Sequence, residues 1–242
     1  MAEMDGYITR NVARQVDLPK GTKKEVTTLS PAQARLFLEA VAGDRLRAFY
    51  WTALLLGLRK GEVCGLRLVD LSFRDETITP TYTVQWQAGK LVLSDLKTAG
   101  SHAPMMLPAS LIPVLHQHLA HLAEEQSGAD WQECGLLFPN RRGTLLEPSN
   151  VSIGFKRILA KAGLPEMCFH QLRHTCGTLL AELREPVHVI QAVLWHASPR
   201  TTAQYYLHSR DEVQRVAVDG LGMLLTEPER TRELPTKVRL DR

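Results

Sequence analysis

Residues 69–108 break the character of the chain on either side of them. Thr77-Ile78-Thr79, Tyr82-Thr83-Val84-Gln85-Trp86 and Leu91-Val92-Leu93 are short and rich in β-branched and aromatic residues. Gly, Pro and Asp separate them at strand-turn spacing. The flanking segments carry helix signals instead. Ser30-Pro31 with Gln33 reads as a capping hydroxyl, a first-turn proline and a returning amide, opening a helix through Ala34–Val41. Leu46–Leu56 is more apolar and predicts a buried helix ended by Gly57, and Lys60-Gly61-Glu62 opens a short third one to Leu66. Helical patterns return at Leu111–Glu125, at Ser149–Ala162 with Gly163 as its stop, and at His170–Leu183 and Val187–Leu194. They recur at Thr201–Tyr206 and Asp211–Leu225. The expected fold class is α+β, mainly helical, with one small antiparallel sheet.

Residues 1–25 hold scattered charges and no sustained period, and read as a leader or linker stub. Residues 226–242 are charged and Pro-interrupted, and read as a flexible tail. One domain over 26–225 remains, long enough to close a core without staples. Cys64, Cys134, Cys168 and Cys176 lie far apart with no CxxC pair, which predicts reduced thiols in a cytoplasmic protein rather than a disulfide scaffold or zinc ribbon. The longest apolar stretch, Trp51–Leu58, is far too short to span a bilayer, so no membrane partner is expected. A net charge of +3 permits a nucleic-acid partner without arguing for one.

Four islands carry the chemistry. In Leu56-Gly57-Leu58-Arg59-Lys60-Gly61-Glu62, an arginine after a Gly break at a helix mouth suits a phosphate, and Glu62 one turn on suits its orientation. Alone, the pair is equally an ordinary surface ion pair. Leu96-Lys97-Thr98-Ala99-Gly100-Ser101 places a lysine in a turn between two apolar strands. His170-Gln171-Leu172-Arg173-His174 puts residues 170, 173 and 174 on one helix face. A metal reading of the two histidines lacks the glutamate general base, since position 171 is Gln, and lacks a third ligand. The last island runs from Trp195-His196 to Tyr205-Tyr206-Leu207-His208. Together, two arginines, a lysine and histidines form a phosphate-binding set, and a tyrosine hydroxyl in line with the phosphorus is a competent nucleophile.

GLRKGEVCGL, LKTAGS, LFPNRRGTLLEPSNV, HQLRHTCGTLL and LWHASPRTTAQYYLH, in that order, make the chain resemble the catalytic domain of the tyrosine recombinases, the phage integrase family, over roughly residues 27–210. The resemblance implies an integrase-like catalytic fold. It implies Arg59 as the first catalytic arginine, with Glu62 as the buried acid beside it. Lys97 resembles the hairpin lysine that protonates the leaving deoxyribose oxygen. His170 and Arg173 resemble the central His-x-x-Arg pair, and His196 the later histidine. Either adjacent tyrosine fits the family spacing; Tyr206 is favoured because Tyr206-Leu207-His208 copies a common Tyr-x-His ending, and Tyr205 is the alternative.

The implied activity is site-specific DNA recombination, integration or excision, through a 3′-phosphotyrosine link, without a metal or nucleotide cofactor. Implied partners are double-stranded DNA, further copies of the chain in a tetramer on DNA, and accessory directionality proteins. Full-length members also carry a helical DNA-clamping domain ahead of the catalytic one, where this sequence has about 25 residues. The alternatives are type IB topoisomerase-like DNA relaxation and a catalytically silent DNA-binding relative.

Overall fold

In the computed structural model of the protein, the described residues are 26–96 and 104–194. The expected helices at Thr201–Tyr206 and Asp211–Leu225, the leader and the tail lie outside them. Helix α1 is Pro31–Ala40, α2 Arg47–Leu56 and α3 Lys60–Gly65; strands β1 to β5 are Leu71–Ser72, Thr77–Ile78, Tyr82–Gln87, Lys90–Asp95 and Met105–Met106; then come α4 Ile112–Gln126, α5 Pro148–Lys161, α6 His170–Glu182 and α7 Val187–Leu194.

The start of α1 is a capping box. The Gln33 N–H donates to Ser30 Oγ (3.3 Å), and the Ser30 N–H donates to Gln33 Oε1 (2.9 Å). Pro31 costs no hydrogen bond at the first helical position. Helix α2 is buried nearly all round because Ala48, Phe49, Tyr50, Ala53, Leu54 and Leu56 leave it no polar face. It is the axis of the domain. Around it Phe37, Phe49, Tyr50, Phe138, Phe155 and Phe169 make edge-on and tilted ring contacts at 5.4–6.3 Å. Pairs of this kind contribute about 0.5–1.5 kcal/mol each beyond the area they bury. These rings anchor the first turn of α2, Ala53, Leu54 and Leu56 bury its second half, and the first arginine of the site follows its end.

The β region forms two sheets rather than the single one expected. Strands β1, β2 and β5 pair antiparallel in the order β1-β2-β5, and β3 and β4 make a separate antiparallel hairpin. The hairpin turns at Ala88-Gly89, both at positive φ (47° and 75°), as a two-residue primed turn requires. The Lys97 segment is thus not that hairpin's tip. It lies between β4 and β5, which belong to different sheets.

Helix α3 sits directly on β3. A Cβ on Gly65 would lie 2.5 Å from the Tyr82 carbonyl oxygen, and one on Gly61 would lie 2.6 Å from Thr83 Oγ1 and 2.8 Å from the Val84 carbonyl oxygen. These glycines, four apart on one helix face, allow backbone to meet backbone. They fix α3 and its arginine relative to the hairpin that leads to Lys97.

Candidate active site

Arg59 caps α3 in extended conformation (φ −69°, ψ 149°). Glu62, at the third helical position, accepts from the Arg59 backbone N–H at Oε2 and from Arg59 Nη1 at Oε1, both at 2.7 Å. The Glu62 side chain is 5% exposed and the Arg59 side chain 51% exposed. A buried carboxylate at a helix N-terminus is stabilised by the free N–H groups there, and it aims one edge of the guanidinium while the rest stays open to an anion.

Arg173 is on α6 and only 4% exposed. Its Nη1 donates to the Gly57 carbonyl (2.6 Å) and its Nη2 to the Leu194 carbonyl. Gly57 ends α2 at φ 59°, where a side chain would be strained. His170 opens α6 one turn ahead of Arg173. Partial burial, then the positive charges of Arg173 and Arg59, hold the His170 pKa below the usual imidazole range, with Glu62 pulling the other way. The ends of α2 and α3 and the start of α6 thus bring Arg59, Glu62, His170 and Arg173 into one electrostatic neighbourhood. His174 stands edge-on to His170, ring centres 5.1 Å apart. Its own pKa is lowered by burial, then by His170 and Arg173. Among the described residues no three His, Cys, Asp or Glu side chains gather as a metal site would require. Lys97, His196, Tyr205 and Tyr206 lie outside the described residues.

Two supporting contacts escape a motif reading. Arg67 repeats the Arg59–Glu62 geometry eight residues on. Its backbone N–H and its Nη2 donate to the two oxygens of buried Asp70 (2.9 Å each), its Nη2 also donates to Thr81 Oγ1 (3.0 Å), and its guanidinium lies 4.4 Å over the Tyr82 ring. This pins the end of α3 to the strand beneath it. The signal was present as a second Arg-x-x-acid spacing. Lys60 Nζ donates to Ser152 Oγ (2.6 Å), tying the start of α3 to α5.

The domain's fold is that of the tyrosine recombinase catalytic domains. It superposes on the Tn1549 transposon integrase in complex with a circular intermediate DNA at TM-score 0.68, with 21% identity over 88% of this chain and 74% of that one. It superposes on the XerA recombinase at TM-score 0.62, with 22% identity over 88% of this chain and 68% of that one. The Phage integrase family matches residues 22–213, and the chain belongs to that family. Among its relatives are a tyrosine recombinase XerC-like protein of Caldanaerobacter subterraneus subsp. tengcongensis, 30% identical over 91% of this chain and 61% of the relative, and an integrase of Streptomyces ambofaciens, 28% identical over 92% and 60%. The chain spans about three fifths of the length of these curated relatives.

Proposed function

We propose that the protein carries out site-specific DNA recombination, cleaving and rejoining strands through a covalent 3′-phosphotyrosine. One observation carries this reading: in a chain of the phage integrase family, Arg59 with buried Glu62, His170 and Arg173 converge on the abutting ends of three helices. Residues 26–225 are the catalytic domain, 1–25 a leader or linker stub and 226–242 a tail. Tyr206 is the nucleophile, with Tyr205 the other register. Its oxygen attacks the scissile phosphorus and bonds to the 3′-phosphate, while the bond to the 5′ oxygen breaks and Lys97 protonates that oxygen. His170 takes the tyrosine proton. A 5′-hydroxyl of the partner strand then attacks the phosphotyrosine, giving its proton to Lys97, and the tyrosine oxygen leaves with the proton returned by His170. The phosphodiester energy is held in the protein–DNA bond, so the cycle needs no nucleotide cofactor and no metal.

Arg59, Arg173 and His196 offset the charge that grows on the nonbridging oxygens. Preorganised donors of this kind contribute about 3–4 kcal/mol each in comparable oxyanion sites. Proton transfer by Lys97 and His170 adds roughly 10²–10⁴-fold. Double-stranded DNA is the substrate, four copies assemble on it, accessory proteins set direction, and the reaction takes place in the cytoplasm. The names of the relatives, integrases and a tyrosine recombinase, favour recombination over topoisomerase-like relaxation or a silent DNA-binding role.

The test is a nicked duplex carrying the cognate site, on which the short piece with the freed 5′-hydroxyl, between the scissile phosphate and the nick, diffuses away after cleavage. The chain is expected to migrate as a covalent DNA adduct on a denaturing gel, and Tyr206→Phe to abolish it. An adduct that survives in Tyr206→Phe and vanishes in Tyr205→Phe moves the nucleophile by one residue. No adduct from the intact chain on its own site defeats the reading.

A further inference from the structure

We propose that Arg173 is, beyond any contact with a phosphate, the tie that holds the end of α7 against α2 and α6. The two carbonyls it meets are that of Gly57, the cap of α2, and that of Leu194, the last described residue of α7. The last carbonyls of a helix lack intrahelical donors and carry the negative end of its dipole. The buried guanidinium gives the orphan carbonyl at the α2 cap a donor and faces the negative end of that helix dipole, while its other arm holds the Leu194 carbonyl of α7. The fork geometry matters, because Nη1 serves one helix and Nη2 the other, which a single ammonium cannot reproduce.

Packing at the same point supports this. A Cβ on Gly57 would lie 2.4 Å from Leu194 Cδ2 and 3.3 Å from Cys176 Sγ. Cys176 Sγ in turn sits 3.7 Å from the Leu55 carbonyl oxygen. The end of α7 therefore rests on the bare backbone at the end of α2, with Arg173 beside it. Otherwise α7 is held by a small satellite core, in which Cys176, Ala181, Ile190 and Leu194 are the buried members. An eight-residue helix is marginal alone, so a two-armed charged tie is a large share of what fixes it. The chain runs from Leu194 directly to His196 and on to Tyr205-Tyr206. Arg173 thereby fixes Leu194, two residues before His196 in the sequence. Replacing it removes an anchor before any DNA is present.

The test uses the full 242-residue chain without DNA, so its outcome does not depend on whether the chain recombines DNA. Hydrogen exchange is measured by peptide for wild type, Arg173→Lys and Arg59→Ala. Arg173→Lys is expected to speed exchange in 187–194 by roughly ten- to a hundredfold, the range of one charged hydrogen bond lost or weakened. The α4 peptides should stay unchanged, and Arg59→Ala should leave 187–194 as in wild type. Exchange in 187–194 within twofold of wild type in Arg173→Lys overturns the proposal, as does equal loosening by Arg59→Ala. If Arg173→Lys unfolds throughout, seen as lost protection in α4, nitrogen-detected NMR of the wild-type guanidinium decides. Slowly exchanging Arg173 Nη protons correlated with the Gly57 and Leu194 carbonyl carbons support the tie. Free rotation and fast exchange overturn it.

Discussion

Gly65→Ala tests whether backbone contact between α3 and β3 positions the first arginine. The new Cβ would stand 2.5 Å from the Tyr82 carbonyl oxygen, 2.7 Å from its carbonyl carbon and 2.9 Å from Thr83 Cα. All three are main-chain atoms of a paired strand, so none can swing aside as a side chain would. Restoring ordinary contact at 3.4 Å requires α3 to lift by about 0.9 Å. Overpacking of this kind costs about 1–3 kcal/mol. The helix preference for Ala returns up to about 1 kcal/mol, and less here because Gly65 is the last residue of α3. The net expectation is a loss of about 1–2 kcal/mol, or roughly 2–8 °C in Tm for a chain this size. The chemical consequence is larger. Arg59 and Glu62 ride on α3, and a displacement near 1 Å at a reacting centre costs roughly 10²-fold. Urea unfolding and the rate of adduct formation on a nicked site measure the two effects. Gly43→Ala, where a Cβ meets nothing within 4 Å, should fall within about 0.5 kcal/mol of wild type. A Gly65→Ala variant as stable and as fast as Gly43→Ala would refute the positioning role of the close approach.

Three further outcomes are expected. His118 is buried with Nε2 2.7 Å from the Leu137 carbonyl oxygen, and burial, aided by Arg45, holds its pKa below the usual imidazole value. The unfolded chain therefore binds the proton more readily, and this contribution to stability is present above the ordinary histidine pKa near 6.5 and lost as pH falls below it. The urea midpoint should drop between pH 7.5 and pH 5.5, and less steeply in His118→Gln; equal slopes would exclude His118 as a source. Arg45 grips Glu125 through Nε (2.6 Å) and Nη2 (2.5 Å) and donates to the Pro139 carbonyl (3.0 Å), at 22% and 31% side-chain exposure. Arg45→Ala should cost about 1–2 kcal/mol in urea unfolding, more than an open surface pair, and no change would place this fork among the pairs that contribute nothing. Adduct formation should persist in excess chelator, because the proposed chemistry runs on arginine, lysine and histidine; cleavage lost on chelation and restored by magnesium would replace that mechanism with a metal-dependent one.

The helices were readable because their signals are local. Ser30, Pro31 and Gln33 lie within four residues, and Gly57 stops α2 by its own φ. The split of the β region into two sheets was not readable. Strand β5 is two residues, Met105–Met106, too short to carry alternation, and its partner β2 lies 28 residues upstream. The turn Ala88-Gly89 lacks the Asn-Gly or Asp-Gly pair that marks such hairpins, because Ala88 takes the left-handed conformation unaided by its side chain. The segment 127–147 gave no helix or strand period, although residues 137–147 carry part of a family motif. It is ordered by contacts that sequence does not display: an isolated bridge of Leu136 to Arg67, and Asn140 receiving the Arg142 and Thr144 N–H groups at its Oδ1 (2.9 and 3.2 Å).

The candidate site divides the same way, and the division is physical. Arg59 with Glu62 is an i,i+3 pair at a helix start, so spacing alone predicts that the two meet. Arg173 is different. Spacing puts it one turn from His170, but its observed partners are carbonyls 116 and 21 residues away, and a carbonyl has no residue type to read. A sequence can therefore name the arginine without disclosing how much of its hydrogen-bonding capacity serves the architecture. The two arginines proposed to share one phosphate consequently stand in opposite environments. Arg59 is half exposed on a buried acid, and Arg173 is buried against the cap of α2 and the Leu194 carbonyl of α7. Substituting the first removes a charge from a surface that can rehydrate. Substituting the second leaves the Gly57 and Leu194 carbonyls facing a void or a misplaced donor, and the damage spreads into α7. Equal losses of activity from the two changes would thus have unequal causes, and only a measurement on the DNA-free chain separates them.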